Sequence, residues 1–247
     1  MAVLVLTSPS LYADELDLAC FSSQVTVDVQ ADELDATTFC TGGYKAPVAG
    51  LRSVTWSASG PADFATAAAS AKSAADEVLA VDIGTLYTLS VVPAGGAVGN
   101  VGYFTQGRLF SRTIIDGAAG ELATHAVTFM GGTQLVRGRL EVDETITATG
   151  SSTGSQLGAV SATQRVWCAA HFLTAGGTTP NIAVKIQSDD NSSFTSATDR
   201  ITLTAATAKG AQFASTVGAI TDDYWRATWT VSGTLPSFQA RILIGIQ

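Results

Sequence analysis

The 247-residue chain is poor in charge and in long apolar runs. Only 14% of its residues are charged, which is low for a monomer that meets water on every side, so we expect much of the surface to be buried in an assembly. Mean hydropathy is +0.28, yet no apolar run approaches the roughly 18 residues that a membrane-spanning helix needs. The first ten residues have no basic segment, and their apolar stretch is only Ala2 to Leu6. The sequence therefore predicts neither a signal peptide nor a membrane partner.

The sequence also contains few cysteines and histidines. Cys20, Cys40 and Cys168 are odd in number and widely spaced, so they match neither a disulfide framework nor the spacing of a zinc site. We expect reduced thiols that mostly pack in the interior, as in a cytosolic protein. His125 and His171 are too few for a metal site and lie within strand patterns, so we expect them to be packed or hydrogen-bonded. The sequence predicts no metal and no cofactor.

Negative charge is concentrated in the first part of the chain. Residues 1–155 have a net charge of −9, whereas residues 156–247 have +1. Proteins that bind nucleic acid need clustered lysine and arginine against the phosphates. This charge distribution therefore argues against a DNA-binding protein.

A long acidic loop separates two strand-like segments near the start of the chain. Val25, Val27 and Val29 alternate with polar residues, which predicts a half-buried strand, and 51–56 predicts a second one. The residues between them, 31–48, contain glycine and proline and hold two aromatic side chains in polar sequence. Loops of this length are uncommon in compact domains and are usually functional. We expect this loop to be mobile in the free subunit and to fold onto another copy of the protein.

One helix and several strands make up the rest of the first half. Residues 1–23 form a mixed arm that we expect a neighbour to tie down. Residues 61–80 have apolar side chains at three- and four-residue steps, and Pro61 suits a first helical turn, so a helix with one apolar face is predicted. Strands are predicted at 86–92, 101–115, 122–130 and 135–149.

The strand predicted at 135–149 has a charged face. Apolar side chains occupy one parity, and the other parity holds Arg137, Arg139, Glu141 and Asp143. Because alternate residues of a strand point to opposite faces, we expect these four to face water or a water-filled channel. Glu141 lies two residues from Arg139, so we expect salt bridges to mask the arginines.

The second half of the chain also has a β pattern. A Gly/Ser-rich segment, 150–158, has the composition of a flexible linker. Beyond it, turn signals at 176–177, Pro180 and Gly233 separate predicted strands at 165–174, 182–188, 200–204, 224–231 and 238–246. This spacing fits a sandwich or jelly roll. We therefore expect two domains, 1–152 and a separable accessory sandwich at 158–247.

Three short patterns suggest a chemistry that their surroundings do not support. Residues 150–154 match the nucleophile elbow of hydrolases, but no helix follows and the acid and histidine come in the wrong order. Residues 189–191 could start a calcium loop, but the required glycine and glutamate are missing further on. Trp167, Trp225 and Trp229 could form a sugar platform. Trp225 and Trp229 share one parity, however, and we expect both in the core.

In order and composition, nearly the whole chain resembles the major tail tube proteins of long-tailed (siphovirus-type) bacteriophages, in the form found in phages of actinobacteria. The resemblance lies in the start (DLACFSSQVTVDVQ), the acidic run before a threonine pair (ADELDATTF), Gly50–Leu51 entering a strand, and the helix that follows. In the second half, GAVSATQRVWCAAHF, TPNIAVKIQSDD and GTLPSFQARILIGI are similar to the matching part of these proteins.

The resemblance implies a structural virion protein with no enzymatic activity. Subunits of that family form rings, usually of six, and the rings stack along the tail. Inner strands join into a continuous β-barrel around the lumen, which removes exposed sheet edges, and a helix packs outside. The implied fold is mostly β: a tail-tube-type sandwich or barrel with one flanking α-helix, followed by a jelly-roll-like β-sandwich.

The resemblance also implies partners and contact residues. The loop 31–48 reaches the adjacent ring, with contacts from Asp32, Glu33, Asp35, Thr37, Phe39 and Tyr44. The candidates for the lumen wall are Arg137, Arg139, Glu141 and Asp143, in a net acidic surface past which DNA slides without specific binding. The partners are further copies, the tape measure protein and other tail proteins, in a virion tail assembled in the bacterial cytoplasm. The alternative is a head or tail decoration protein or a glycan-binding adhesin, which would stay monomeric or trimeric.

Overall fold

The structure, a computed structural model, describes residues 4–40, 42–62 and 74–247. Strands make up 62% of it and helices 3%, which confirms the predicted mostly-β class. Besides a short 3-10 turn at Ala19–Phe21, the elements are β1 (Ser10–Ala13), β2 (Leu16–Asp17), β3 (Gln24–Asp35), β4 (Pro47–Pro61), α1 (Ala74–Leu79), β5 (Leu86–Val92), β6 (Val101–Asp116), β7 (Thr124–Gly131), β8 (Val136–Ile146), β9 (Gly150–Ser151), β10 (Ser155–Gln156), β11 (Arg165–Asp189), β12 (Thr198–Thr202), β13 (Gly210–Val217) and β14 (Tyr224–Ile246).

The fourteen strands of the described residues belong to one antiparallel hydrogen-bonded sheet. Its main path runs β12–β11–β14–β8–β6–β5–β1–β2. A branch of β3, β4 and β7 joins at β6, while β13 pairs with β11, and β9 and β10 pair with β14. The predicted strands of the first half agree with β5 to β8 within a few residues. Buried and more exposed residues alternate along most of β7 and the first part of β8, whereas β5 is buried on both faces.

The two longest strands bend where the sequence predicts turns. β11 and β14 pair along almost their whole length, with register shifts between Phe172 and Asn181. Ile146 on β8 and Gly150 on β9 are only four positions apart, yet their partners on β14, Phe238 and Trp229, are nine positions apart. Because four residues cannot span nine extended ones, β14 must bend between these partners.

Glycine permits this bend. Gly177 and Gly233 have φ values of 103° and 114°, and a Cβ on either would collide with a carbonyl oxygen of the paired strand. The expectation that turns at 176–177 and 233 end separate strands is therefore wrong. The glycines bend two continuous strands, so that each strand contributes to both layers of a sandwich.

The β11–β14 pair and the β3–β4–β7 branch each have a hydrophobic core of their own. The bent β11–β14 pair encloses one cluster that includes Trp225, Phe172 and Phe238. The β3–β4–β7 branch, α1 and the start of the chain enclose a second cluster around Trp56 and Phe129. These rings meet edge to face, with Trp56 and Phe129 centroids 5.5 Å apart, which is a favourable aromatic geometry.

A third core cluster joins the two halves of the chain. It contains Val92, Phe104, Val136 and Leu140 from the first half with Ala169 and Leu243 from the second. Across the same face, Ser90 on β5 contacts His171 on β11, and the Phe104 and Phe213 rings lie 6.2 Å apart. The path from β13 to β1 thus curls into an incomplete barrel.

Strand pairs lie within the predicted linker and across the predicted domain boundary. Within 150–158, β9 and β10 pair with β14, and Ser152 accepts a hydrogen bond from the backbone N–H of Ala227. β8 pairs with β14 across the expected boundary. A Gly/Ser composition predicts flexibility only where the backbone has no partner, and here it has partners.

The helix and the arm also differ from expectation. Pro61 ends β4, so no helix begins there; Ala74–Leu79 is helical with Val78 and Leu79 buried, and 63–73 lie outside the described residues. The arm is fixed from Ser10 onward, because β1 pairs with β5 and buries Leu11.

Candidate assembly surface

β3 and β4 form a hairpin, and β4 also pairs with β7 from Val54 onward, so only the outer part of the hairpin projects from the sheet. Pairing continues to Asp35 and Pro47, so the loop comprises residues 36–46 rather than the expected 31–48. Every described residue from 29 to 45 is exposed. The sequence failed to predict these strand ends because a strand exposed on both faces has no apolar alternation.

Short hydrogen bonds hold the end of the hairpin. The backbone N–H of Ala36 donates to the carbonyl oxygen of Ala46 at 3.0 Å. Asp35 accepts from the N–H of Thr37 at 2.8 Å, and the Thr37 hydroxyl accepts from the N–H of Ala46 at 3.0 Å. The hydrogen bonds from Thr37 lower the pKa of Asp35. Asp35 and Thr37 therefore stabilise the conformation of the hairpin tip through these hydrogen bonds.

The hairpin carries acidic and apolar side chains that make few contacts in one chain. Asp32 and Glu33 form no salt bridge with any described residue. Phe39 is fully exposed, Tyr44 is 80% exposed and Leu51 is 82% exposed. Leu34 lies directly opposite Val48, and both are exposed too. Several exposed apolar side chains on one hairpin are typical of surfaces that contact another molecule.

Two strand edges of the same branch are open. Among the described residues, β3 pairs only with β4, and β6 beyond Leu109 pairs only with β7. The open part of β6 exposes Phe110, Ile114 and Ile115. An unpaired edge is a template for pairing with another chain, and soluble proteins usually cover it.

One face of this branch is polar and wet. Trp56, Phe129 and Leu109 point into the core, so alternate residues point away from it. The outward residues are mostly small and polar, but Arg108 and Met130 are among them; the others include Thr26, Asp28, Thr55, Ser57, Ser111 and Thr128. The branch therefore presents a mostly polar face between its two open edges.

The strand predicted to carry four charges on one face carries two. β8 pairs Val142 with Ile242 and Leu140 with Leu243, so Glu141 is an extra residue in a β-bulge. Arg137 and Arg139 are exposed, whereas Glu141 is only 2% exposed and its Oε1 has no hydrogen-bond partner. Burial raises the pKa of Glu141. The expected shared face is wrong, because a bulge reverses the parity beyond it.

Asp143 lies on the opposite face, against the incomplete barrel. It forms a salt bridge of 2.7 Å with Arg241, whose Nε also donates to the Tyr12 hydroxyl at 3.2 Å. Burial raises the pKa of Asp143 despite this partner. Asp143 therefore ties β8 to β14 and β1, and it does not mask Arg137 or Arg139.

His171 is at the centre of a buried polar cluster. Its Nδ1 lies 2.6 Å from the carbonyl oxygen of Asp14, which can only accept, so Nδ1 carries the proton. Its Nε2 therefore accepts from the Ser90 hydroxyl at 2.7 Å. Burial lowers the pKa of His171 to about 4 and raises that of Asp14 to about 6. Ser90 and His171 are both inaccessible, so this pair is structural rather than nucleophilic.

The remaining candidate residues serve the fold. Trp225 and Trp229 are buried in the core, as expected, and their Nε1 atoms donate to backbone carbonyls. Trp167 packs against Phe213 with ring centroids 5.4 Å apart. His125 is buried and bonded to Pro61. The indole rings therefore do not form a sugar platform.

Residues 189–191 form a closed turn. Asp189 is buried and accepts from the backbone N–H groups of Asn191 and Ser196. Its carboxylate is thus engaged by the chain itself. Within the described ranges, no three His, Cys, Asp or Glu side chains come together to hold a metal ion.

The cysteines only partly match the expectation of packed thiols. Cys168 is buried, whereas Cys20 and Cys40 are exposed free thiols, and Cys40 lies at the hairpin tip. Separately, no helix in the described part of the chain is long and apolar enough to cross a membrane.

Sequence reasoning missed the open end of β6. Its only signal is apolar side chains at both parities in Phe110 to Ile115, where a half-buried strand should alternate. The Ser90–His171 contact had no sequence signal, since it joins residues 81 positions apart.

No protein-family model and no curated protein sequence matches the chain. Among solved structures, the chain is similar to a protein of the virion of a native gene transfer agent particle (14% identity, TM-score 0.37, covering 52% of this chain and 93% of that one). It is also similar to a protein from the tail of an empty gene transfer agent particle with sixfold symmetry (15% identity, TM-score 0.34, covering 47% of this chain and 80% of that one). A third likeness is to the Dit protein of phage SPP1, described as a hub of the adsorption apparatus (10% identity, TM-score 0.38, covering 98% of this chain and 100% of that one). Likenesses of this size do not assign a function.

Proposed function

We propose that the protein is a self-assembling structural subunit of a phage-type tail tube, as its sequence resemblance implies. The observation that carries the proposal is the β3–β4–β7–β6 branch, which has two open edges, a polar wet face and a projecting apolar hairpin. Such a surface is incomplete in one chain and becomes complete in a closed ring.

Ring closure joins the two open edges. The free edge of β3 in one copy pairs with the open end of β6, near Phe110 to Ile115, in the next copy. Each copy then adds four strands to a continuous barrel, and the face with Thr26, Thr55 and Thr128 lines the lumen. Most side chains of this face are small and neutral, Asp28 adds a negative charge, and Arg108 is held by a hydrogen bond to the Gly84 carbonyl oxygen. Phosphates therefore meet little net attraction, and DNA passes without specific binding.

This lumen differs from the one expected from sequence. Glu141 is buried and Asp143 is paired with Arg241, so β8 would present only Arg137 and Arg139 to a channel. Two unmasked arginines would hold phosphates back. We therefore assign the lumen wall to the β3–β4–β7–β6 branch.

Ring stacking uses the hairpin. Asp32 and Glu33 on β3, with Phe39 and Tyr44 at the tip, contact the neighbouring ring and bury the apolar surface that one chain leaves exposed. The remaining partners in this role are the tape measure protein inside the tube and other tail proteins at its ends.

A hairpin-shortening variant tests the proposal. Residues 37–45 are replaced by Asn-Gly, which joins the bonded Ala36–Ala46 pair through a two-residue turn. Negative-stain microscopy of the wild type should show rings or tubes. The variant should keep the wild-type circular dichroism spectrum and form no tubes.

The matched control is Leu235→Ser, which removes an equally exposed apolar side chain at the bend of β14. It should assemble normally. A wild type that remains monomeric or trimeric at all concentrations favours the decoration or adhesin alternative, and closed single rings that never stack favour a hub. Normal tubes from the shortened hairpin contradict the stacking role.

A further inference from the structure

A groove lined by arginine lies between the base of the hairpin and β8. Arg137 lies directly opposite Tyr103 on β6, and with Arg52, Leu135 and Gln134 these residues line a concavity of about 500 Å³. Two adjoining concavities share Arg137 or Gln134 with it and add Arg139 and Arg165. We call the surface formed by Arg52, Tyr103, Gln134, Leu135, Arg137 and Arg139 the arginine groove.

The arginines of this groove form no salt bridge with the described residues, although Arg139 interacts electrostatically with Glu141 and lowers its pKa against the larger effect of burial. The nearest carboxyl on the strand, Glu141, is buried in the bulge. Arg52 and Arg137 therefore lie beside apolar atoms of Tyr103 and Leu135, and Arg139 adds a third exposed positive charge next to them, on a protein whose net charge is −8.

We infer that the arginine groove is the receptor for the β3–β4 hairpin of a second copy. The hairpin has the complementary composition. Asp32 and Glu33 are exposed and form no salt bridge within the described part of the chain, and Phe39 and Tyr44 offer apolar rings to Tyr103 and Leu135. Matched charge fixes the register of a contact while apolar burial supplies its stability. The inference rests on the stacking role proposed for the hairpin and adds where on the neighbour it binds.

Charge reversal tests this pairing. The groove variant is Arg137→Glu with Arg139→Glu, and the hairpin variant is Asp32→Lys with Glu33→Lys. Each alone places like charges together, so its critical concentration for assembly, measured by light scattering, should rise at least tenfold. An equimolar mixture should recover assembly, because each hairpin then meets a groove of opposite charge. The control Asp190→Lys, on an exposed turn of the second half, should assemble like the wild type.

Cross-linking gives a second readout that does not require tubes. In a Cys20→Ser background, Gln134→Cys places a thiol in the groove opposite the native Cys40 of an incoming tip. Mild oxidation should give a ladder of disulfide-linked oligomers, and Cys40→Ser should abolish it.

The outcomes separate this inference from the proposed function. Tubes without rescue in the mixture and without the ladder overturn the groove as receptor but leave the tube role intact. A ladder without rings or tubes supports the groove and overturns the tube role. Tight binding of labelled double-stranded DNA that is lost in the groove variant would identify a nucleic-acid site and overturn the inference.

Discussion

Phe104→Ala should destabilise the whole chain, not only its first half. Phe104 is fully buried in the cluster that joins Val136 and Leu140 to Ala169 and Leu243, and its ring also contacts Phe213. Replacing a buried phenylalanine by alanine costs about 3–5 kcal/mol, because apolar contacts are lost and a cavity remains. For a chain of this size, at roughly 2 °C per kcal/mol, the melting temperature should fall by about 6–10 °C.

The assay is denaturation of the disassembled subunit, followed by hydrogen exchange in both halves. Amides of β11 and β14 should lose protection together with those of β5 and β6, since they share the cluster and the sheet. Val98→Ala, at an exposed loop position, should change the free energy of unfolding by less than about 0.5 kcal/mol. Unchanged protection of β11 and β14 in Phe104→Ala would show that 158–247 is a separable domain after all.

Two further predictions concern the buried cluster and the bend. The pKa of His171 is lowered to about 4 in the folded protein, so the contribution of neutral His171 to stability is lost as pH falls below about 6.5. The pKa of Asp14 is raised to about 6 in the folded protein, so the contribution of protonated Asp14 to stability is lost as pH rises through about 6. Asp14→Asn removes the opposing contribution, and its unfolding free energy should rise more steeply than the wild type's between pH 4 and 6.5, by up to about 3 kcal/mol; parallel pH profiles would contradict this. Gly233→Ala, at φ 114° and against the Thr179 carbonyl, should lower stability by more than about 1 kcal/mol, whereas Gly132→Ala, which has open space around it, should not; equal thermal melts of the two variants would refute the steric argument.

The amino-acid sequence by itself determined the fold class and most strand positions. The sequence pattern locates β5 to β8 within a few residues and places Trp225 and Trp229 in the core. Burial on one face of a strand, as in β7, leaves a local period of two that the sequence shows. The low charge and the aromatic tip of the acidic segment also predict a surface that another copy covers, and this stays a prediction. These features depend on neighbours in sequence, so a sequence pattern can encode them.

Only the tertiary structure decided which segments pair and where parity changes. The bulge at Glu141 buries an acid that alternation had exposed, and it turns Asp143 toward Arg241. Gly177 and Gly233 bend long strands instead of ending them, and the contact of Ser90 with His171 closes a shared core across the predicted boundary. The open edge of β6 and the arginine groove exist because of these non-local pairings. A single residue inserted in a ladder reverses every later side chain, and its position depends on a partner strand about a hundred residues away along the chain.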